Sequence, residues 1–316
     1  MRLDQFVAAA LAPEYSRSQA ARMIKAGLVT VNGAAGRASS LIRAGDRVEI
    51  APIPVPEVPA PPLEAPPIEV LYADSELIAV NKPAGMTVHP APGHPHSTLV
   101  DALVARFPEL AAMAEPDGVM RPGIVHRLDK ETSGVMVVAR TPFARTALSN
   151  QFKERSVRKV YIAIVRGVVA RDRMTIARAI GRHPTERKRI SVRSRNPREA
   201  VSHVTVLRRF VGGGNPSTLV AVRPETGRTH QIRVHLASIG HPCLGDPLYG
   251  GGSSVAGEEG FSGRQALHAL ALAVTHPRSG ERMEFVAPIA ADMRGFIAAR
   301  GVELEEGVVR RWIGEA

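Results

Sequence analysis

The sequence predicts an α+β protein: a small N-terminal unit, then a larger domain built on a mixed, mostly antiparallel sheet with interspersed helices. Three observations carry this prediction. Short runs rich in β-branched residues recur from residue 68 onward, with 135–139 and 159–165 the clearest, and only a few helical patterns separate them. Proline recurs at 52, 54, 56, 59, 61, 62, 66 and 67, which marks 51–67 as a semi-rigid linker in extended polyproline conformation. The chain has 316 residues, 44% of them apolar, enough for two units with cores of their own.

The elements follow in order. Leu3, Phe6, Val7, Ala10 and Leu11 recur at helical spacing and form one apolar face. Ser18 is expected to cap a second helix through Ile24, with Gly27 as its stop. Strands are expected over 28–31 and 47–50, with a tight turn at Asn32-Gly33. The division is therefore 1–50 as the small domain, 51–67 as linker and 68–316 as the large domain. In the latter, strands at 68–72 and 77–80 flank a turn, Thr98 caps a helix over 99–107, and Thr141-Pro142 opens another to about residue 154. On the strand at 159–165, Lys159, Tyr161 and Ala163 share one face, and Val160, Ile162 and Ile164 the other.

The charge balance is 41 Lys and Arg against 30 Asp and Glu, a net +11, which implies a polyanionic partner, nucleic acid before a membrane surface. Aromatic residues make up only 4%, so phosphate contacts rather than base stacking should dominate affinity. Arg17, Arg22 and Lys25 would give the second helix a cationic side. A run at 181–199 that includes Arg187, Lys188 and Arg189 is expected to form a loop or hairpin gripping phosphates. Cys243 stands alone, which excludes an intrachain disulfide and a cysteine zinc site. No apolar run is long enough for a membrane span, and the first residues have no signal-peptide core. The expected location is cytoplasmic, with no membrane contact.

Two dense motifs carry the chemistry. In His126-Arg127-Leu128-Asp129-Lys130-Glu131-Thr132-Ser133-Gly134 one acid sits between Arg127 and Lys130, and opposite charges favour an ionised carboxylate. Thr132, Ser133 and Gly134 read as a turn before the buried strand 135–139, which would mount Asp129 as a nucleophile on a rigid scaffold. The alternative is a structural salt bridge in a surface loop. The second motif is Arg223-Pro224-Glu225-Thr226-Gly227-Arg228-Thr229-His230-Gln231-Ile232-Arg233-Val234-His235-Leu236, followed by Gly245-Asp246-Pro247-Leu248-Tyr249-Gly250. It reads as one wall of a site. His230, His235 and His241 lack a metal-ligand spacing and read as hydrogen-bonded structural histidines, so no metal is expected.

These motifs also carry resemblances. Arg2-Leu3-Asp4, Ser16-Arg17-Ser18-Gln19-Ala20, 27–33 and Gly45-Asp46-Arg47-Val48 together resemble an S4 RNA-binding domain. The two dense motifs, with Asn81-Lys82-Pro83-Ala84-Gly85 and Gln265-Ala266-Leu267-His268-Ala269, are similar to RluA-type RNA pseudouridine synthases. The S4-like start and Ala91-Pro92-Gly93-His94 point to the RluD-like branch, which modifies large-subunit ribosomal RNA. The resemblance implies that specific uridines are isomerised without a cofactor, by a monomer acting on a ribosomal RNA stem-loop. It implies Asp129 as the catalytic carboxylate, Arg233 as its salt-bridge partner and Tyr161 as the active-site tyrosine. Leu267 would be part of the apolar wall, with Arg127 and His126 filling the vacated base stack or binding its phosphates. Whether the acid attacks C6 or C1′, or assists a glycal route, stays open. Two alternatives stand beside this reading: a non-catalytic RNA-binding or ribosome-assembly factor, and a metal hydrolase built on His89, His94 and His96.

Overall fold

The computed structural model describes residues 1–52, 65–90, 94–113, 121–186, 189–212, 215–250, 264–303 and 306–315. Most of the proline-rich linker, Arg187, Lys188 and most of the glycine-serine stretch after Gly250 lie outside the described residues.

The N-terminal unit packs α1 (Leu3–Ala10) and α2 (Arg17–Lys25) on a small antiparallel sheet of β1 (Val29–Val31), β2 (Ala34–Ala35) and β3 (Val48–Ile50), with β1 central. Leu3, Val7, Ala20, Met23, Ile24 and Val29 fill its core, whereas Ala10, expected on the apolar face, is exposed. Ser16, not Ser18, caps α2. Ser16 N donates to Gln19 Oε1 at 2.9 Å while Gln19 N donates to Ser16 Oγ at 3.4 Å. A reciprocal capping box needs a Gln or Glu three residues on, and Ser18 has Ala21 there. Asn32 and Gly33 both take positive φ, 52° and 79°, the hairpin geometry that matches strand twist.

The large domain opens with β4 (Glu69–Ala73) and β5 (Leu77–Lys82), then α3 (Leu99–Arg106), capped by Thr98. Next come β6 (Ser133–Ala139), α4 (Pro142–Lys153), β7 (Arg158–Arg166) and β8 (Arg173–Ala177). A short hairpin, β9 (Gly181–Arg182) with β10 (Ile190–Ser191), precedes β11 (Val201–Phe210), β12 (Ser217–Pro224) and α5 (Gln231–Ser238). The chain ends with β13 (Leu267–Thr275), β14 (Arg282–Val286), α6 (Ala291–Ala298) and α7 (Glu306–Glu315). Among the described residues nine strands form the central sheet, in the order β4-β5-β6-β13-β7-β12-β11-β8 with β14 on β13. The β6–β13 pair is parallel and the other pairs are antiparallel, so the sheet is mixed and mostly antiparallel.

Alternation along β7 decides where the site lies. Val160, Ile162 and Ile164 pack with Met293, Phe296 and Trp312 of α6 and α7. Ala163 and Val165 face the other way and pack with Ile232 and Leu236 of α5, and Tyr161 leans on the same cluster. Each fully buried aliphatic side chain contributes roughly 1.5–3 kcal/mol, so the two clusters fix the sheet between its helices and hold Tyr161 on the α5 side.

Ser133 and Gly134 do not form the expected turn; they begin β6. The turn is one step earlier, where Thr132 N donates to Asp129 O at 3.1 Å. Gly134 has φ +118°, and a Cβ there would stand 2.2 Å from the Ala269 carbonyl oxygen. Only glycine lets the parallel strands close so near the acid.

Candidate active site

A cavity of about 490 Å³ opens between the Asp129 loop, β7, the loop before α5 and Leu267. Asp129 reaches it from the loop leading into β6, with a side chain 21% exposed. Its Oδ2 accepts Arg233 Nη1 at 3.0 Å and lies 3.9 Å from His230 Nε2. No described residue donates to its Oδ1. One carboxylate oxygen is thus fixed, and the other, on a residue that lines the cavity, has no donor among the described residues.

Arg233 stands in the first turn of α5 and is 4% exposed. It is held mainly from behind: Nε donates to Asp246 Oδ2 at 2.7 Å and Nη2 to Asp246 Oδ1 at 2.8 Å, a two-pronged pair. Asp246 Oδ1 also accepts the backbone N–H groups of Leu248 and Tyr249, at 2.9 and 3.1 Å. Burial opposes the guanidinium charge, yet the two carboxylates more than offset it and hold the group above its ordinary range. The loop before α5 is tied down by Gln231, whose Oε1 accepts Arg228 N at 3.1 Å and Thr226 Oγ1 at 2.6 Å.

Lys82 supports the acid loop from beneath. The residue is fully buried, and its Nζ donates to Pro83 O, Met86 O and Lys130 O at 2.7–3.0 Å. Burial pulls its ammonium down to about 7, against the pull of Glu131 and Asp129. Three carbonyl acceptors match the three N–H donors that only the ammonium form has, so the hydrogen bonds favour the charged form against burial. Lys82→Met should leave three carbonyls unpaired beside residue 129. We expect a stability loss on the order of 3 kcal/mol by denaturant titration, with a fall in turnover because the loop shifts.

The other expected site residues divide. Tyr161 and Leu267 line the cavity; burial, then Asp129, push the Tyr161 phenol up, so it stays an O–H donor. Arg127 is exposed on the cavity wall. His126 lines the cavity too, but its Nε2 accepts Val137 N at 3.0 Å and its ring stacks on Phe152 at 4.4 Å. Burial, then Lys159, hold it down at about 3. The neutral ring spends its Nε2 lone pair on the backbone of β6, which leaves Nδ1–H as the one donor it can offer to RNA. Arg189 lies in the segment of the β9–β10 hairpin, where it donates to Glu186 at 3.0 Å and lies 5.6 Å over the Tyr249 ring. Arg17, Arg22 and Lys25 sit on α2, where Arg17 pairs with Asp4 at 3.0 Å; none lines the cavity.

Sequence reading did not single out three residues of this network. Lys159 lines the cavity and is lowered to about 8 by burial, then Arg155. Lys82 and Asp246 were each inside a quoted motif, but nothing in the pattern marked them as buried charges. The histidines are dispersed: His235 bonds to Ser202 Oγ and Arg178 O, both at 2.9 Å, and His241 to Arg166 O at 2.9 Å. Burial holds His89 down at about 4. Among the described residues no three His, Cys, Asp or Glu side chains gather as a metal-holding group.

The sequence profile of the RNA pseudouridylate synthase family matches residues 76–238, and that of the S4 domain matches residues 1–48. The chain belongs to the RNA pseudouridylate synthase family. Relatives agree over nearly the whole length. The synthase is 43% identical over 296 residues to the RNA pseudouridine synthase YlyB of Bacillus subtilis, which spans 94% of this chain and 93% of that protein. It is 42% identical over 299 residues to ribosomal large subunit pseudouridine synthase D of Pseudomonas aeruginosa, spanning 92% and 89%. Among solved structures, human RNA pseudouridylate synthase domain containing 1 has a TM-score of 0.63 at 28% identity, over 81% of this synthase and 98% of that chain. No described helix of the synthase is long and apolar enough to cross a membrane.

Proposed function

We propose that this synthase converts specific uridines of large-subunit ribosomal RNA to pseudouridine, with Asp129 as the catalytic carboxylate and no cofactor. The observation that carries the reading is the asymmetry of Asp129 on the wall of a cavity of about 490 Å³: Oδ2 is fixed by Arg233, and no described residue donates to Oδ1. The net charge of +11 and the N-terminal S4 domain suit an RNA substrate. The relatives named ribosomal large subunit pseudouridine synthase D favour ribosomal RNA as that substrate.

The chemistry asks little of the protein beyond this. The N1–C1′ bond breaks, the uracil turns over, C5 bonds to C1′, the C5 proton leaves and N1 takes one up. Nothing is oxidised and no group donor is consumed. What is required is an anionic oxygen, a pocket that retains the detached base, and a place for an extruded nucleotide, whose extrusion costs a few kcal/mol. Asp129 supplies the first. Leu267 and the neutral phenol of Tyr161 wall the second. Arg127 and Lys159 are cations placed for the backbone of the extruded nucleotide. A monomer in the cytoplasm, where ribosomal RNA is made accessible, completes the reading.

The test is a pseudouridine map of ribosomal RNA from cells with and without the gene. We expect one or a few large-subunit positions to revert to uridine without it, and to return when it is restored. An unchanged map would remove ribosomal RNA as the substrate.

A further inference from the structure

Tyr249 lies in a segment to which the isomerisation assigns no task, yet it touches both groups that face Asp129 Oδ2. Its hydroxyl is 2.8 Å from His230 Nδ1 and accepts the backbone N–H of Ile190 at 2.9 Å. Its ring lies 5.1 Å from the Arg233 guanidinium and meets the His230 ring edge-on at 5.7 Å and 77°. Its own backbone N–H is held by Asp246. His230 sits at φ +55°, a left-handed conformation that a residue with a Cβ takes only where its surroundings impose it.

We propose that Tyr249 is a positioning residue of the reaction: its hydroxyl donates a hydrogen bond to His230 Nδ1, so the neutral imidazole carries its own proton on Nε2, the nitrogen nearest Asp129. A phenol has one proton to give. Ile190 N–H is a donor and cannot receive it, and His230 Nδ1 is the acceptor within reach among the described residues. An Nε2 lone pair 3.9 Å from a carboxylate oxygen would repel it; an N–H gives Oδ2 a second donor beside Arg233. Both donors then converge on one oxygen and leave Oδ1 as the reactive one, so the inference rests on the Asp129 reading above. The 3.9 Å separation is longer than a hydrogen bond, as such contacts often are before substrate closes the site.

The charged groups around the ring are Asp129 and Arg127 from the acid loop, Arg233 from α5, and Asp246 from the loop before Tyr249. Arg189 of the β9–β10 hairpin segment lies over the Tyr249 ring. Burial lowers the imidazole below its ordinary range, against the pull of Asp129, which favours a neutral ring whose tautomer matters. Because Ile190 belongs to β10, the hairpin is what turns the hydroxyl toward His230.

The test uses the full chain with histidine labelled with nitrogen-15 in the ring, and His230→Gln to assign the signal. At pH 7 we expect His230 as the neutral form protonated on Nε2. Tyr249→Phe keeps the ring under Arg233 and removes only the hydroxyl. It should shift His230 toward the Nδ1-protonated or doubly protonated form. It should also lower kcat about tenfold with KM within about twofold. A wild-type ring protonated on Nδ1, a tautomer unchanged in the variant, or an unchanged kcat would each overturn the proposal. The wild-type spectrum decides even if the variant does not fold. The expected spectrum together with an active Asp129→Asn would place the failure in the Asp129 reading instead, since the tautomer is read without turnover.

Discussion

Asp129→Asn should form no measurable pseudouridine, a loss of more than about 1000-fold in turnover, while its affinity for RNA stays within about twofold of wild type. The structure makes this substitution unusually clean. Asparagine has nearly the same shape, and the side chain is only partly buried, so little packing changes. Arg233 does not depend on Asp129 for its place, because Asp246 grips it through two nitrogens. The pocket therefore survives with its cations and apolar wall, and only the anionic oxygen is gone. Pseudouridine counted in hydrolysed RNA, beside a binding isotherm at fixed salt, measures both quantities. Full activity would leave Asp129 as a loop-ordering residue. Loss of binding along with activity would mean that the acid builds the surface rather than the reaction.

Arg233→Met should be the most destabilising single change at the site. Asp246 has a side chain with no solvent exposure, and Arg233 is its partner ion. Breaking a buried pair by removing one member costs about 3–5 kcal/mol, because the remaining charge loses its counter-ion and keeps only the two backbone N–H donors. For a domain of this size the melting temperature should fall by roughly 10 °C. The variant should also respond to pH in a way that wild type does not. A lone buried carboxyl keeps its proton in the folded state and loses it on unfolding, so the folded state binds more protons. Stability is then retained below the ordinary carboxylate range and lost as pH rises through the raised folded value. Melting curves at pH 5 and pH 8 should show the variant closer to wild type at pH 5. Equal deficits at both would mean that Asp246 finds another partner.

The fold was legible where periodicity or capping chemistry is local. The alternation in 159–165 put Tyr161 on the correct face, and Thr98 and Thr141 marked helix starts that the structure keeps. Ser16 and Ser18 differ only in what stands three residues on, and the second serine drew the wrong reading. Gly134 looked like a turn because Thr132, Ser133 and Gly134 are turn-forming types; its positive φ serves instead a close strand approach, which depends on Ala269, far along the chain. The site was legible as motifs but not as a network. Asp129 and Arg233 are 104 residues apart, and their pairing at 3.0 Å was expected only through a family resemblance. Lys82, Asp246 and Tyr249 were hidden for one reason: burial and partner are properties of three dimensions, and a charged or phenolic residue in a motif looks the same whether it points inward or out.

Gly134 has a last consequence. With the Ala269 carbonyl pressed against its α-carbon, the strand that follows the acid and the strand that begins at Leu267 share one seam with no slack. Any drift of sequence that added even a methyl there would pry the two margins of the pocket apart together. One of the tightest tolerances among the described residues therefore falls on a position with no side chain at all.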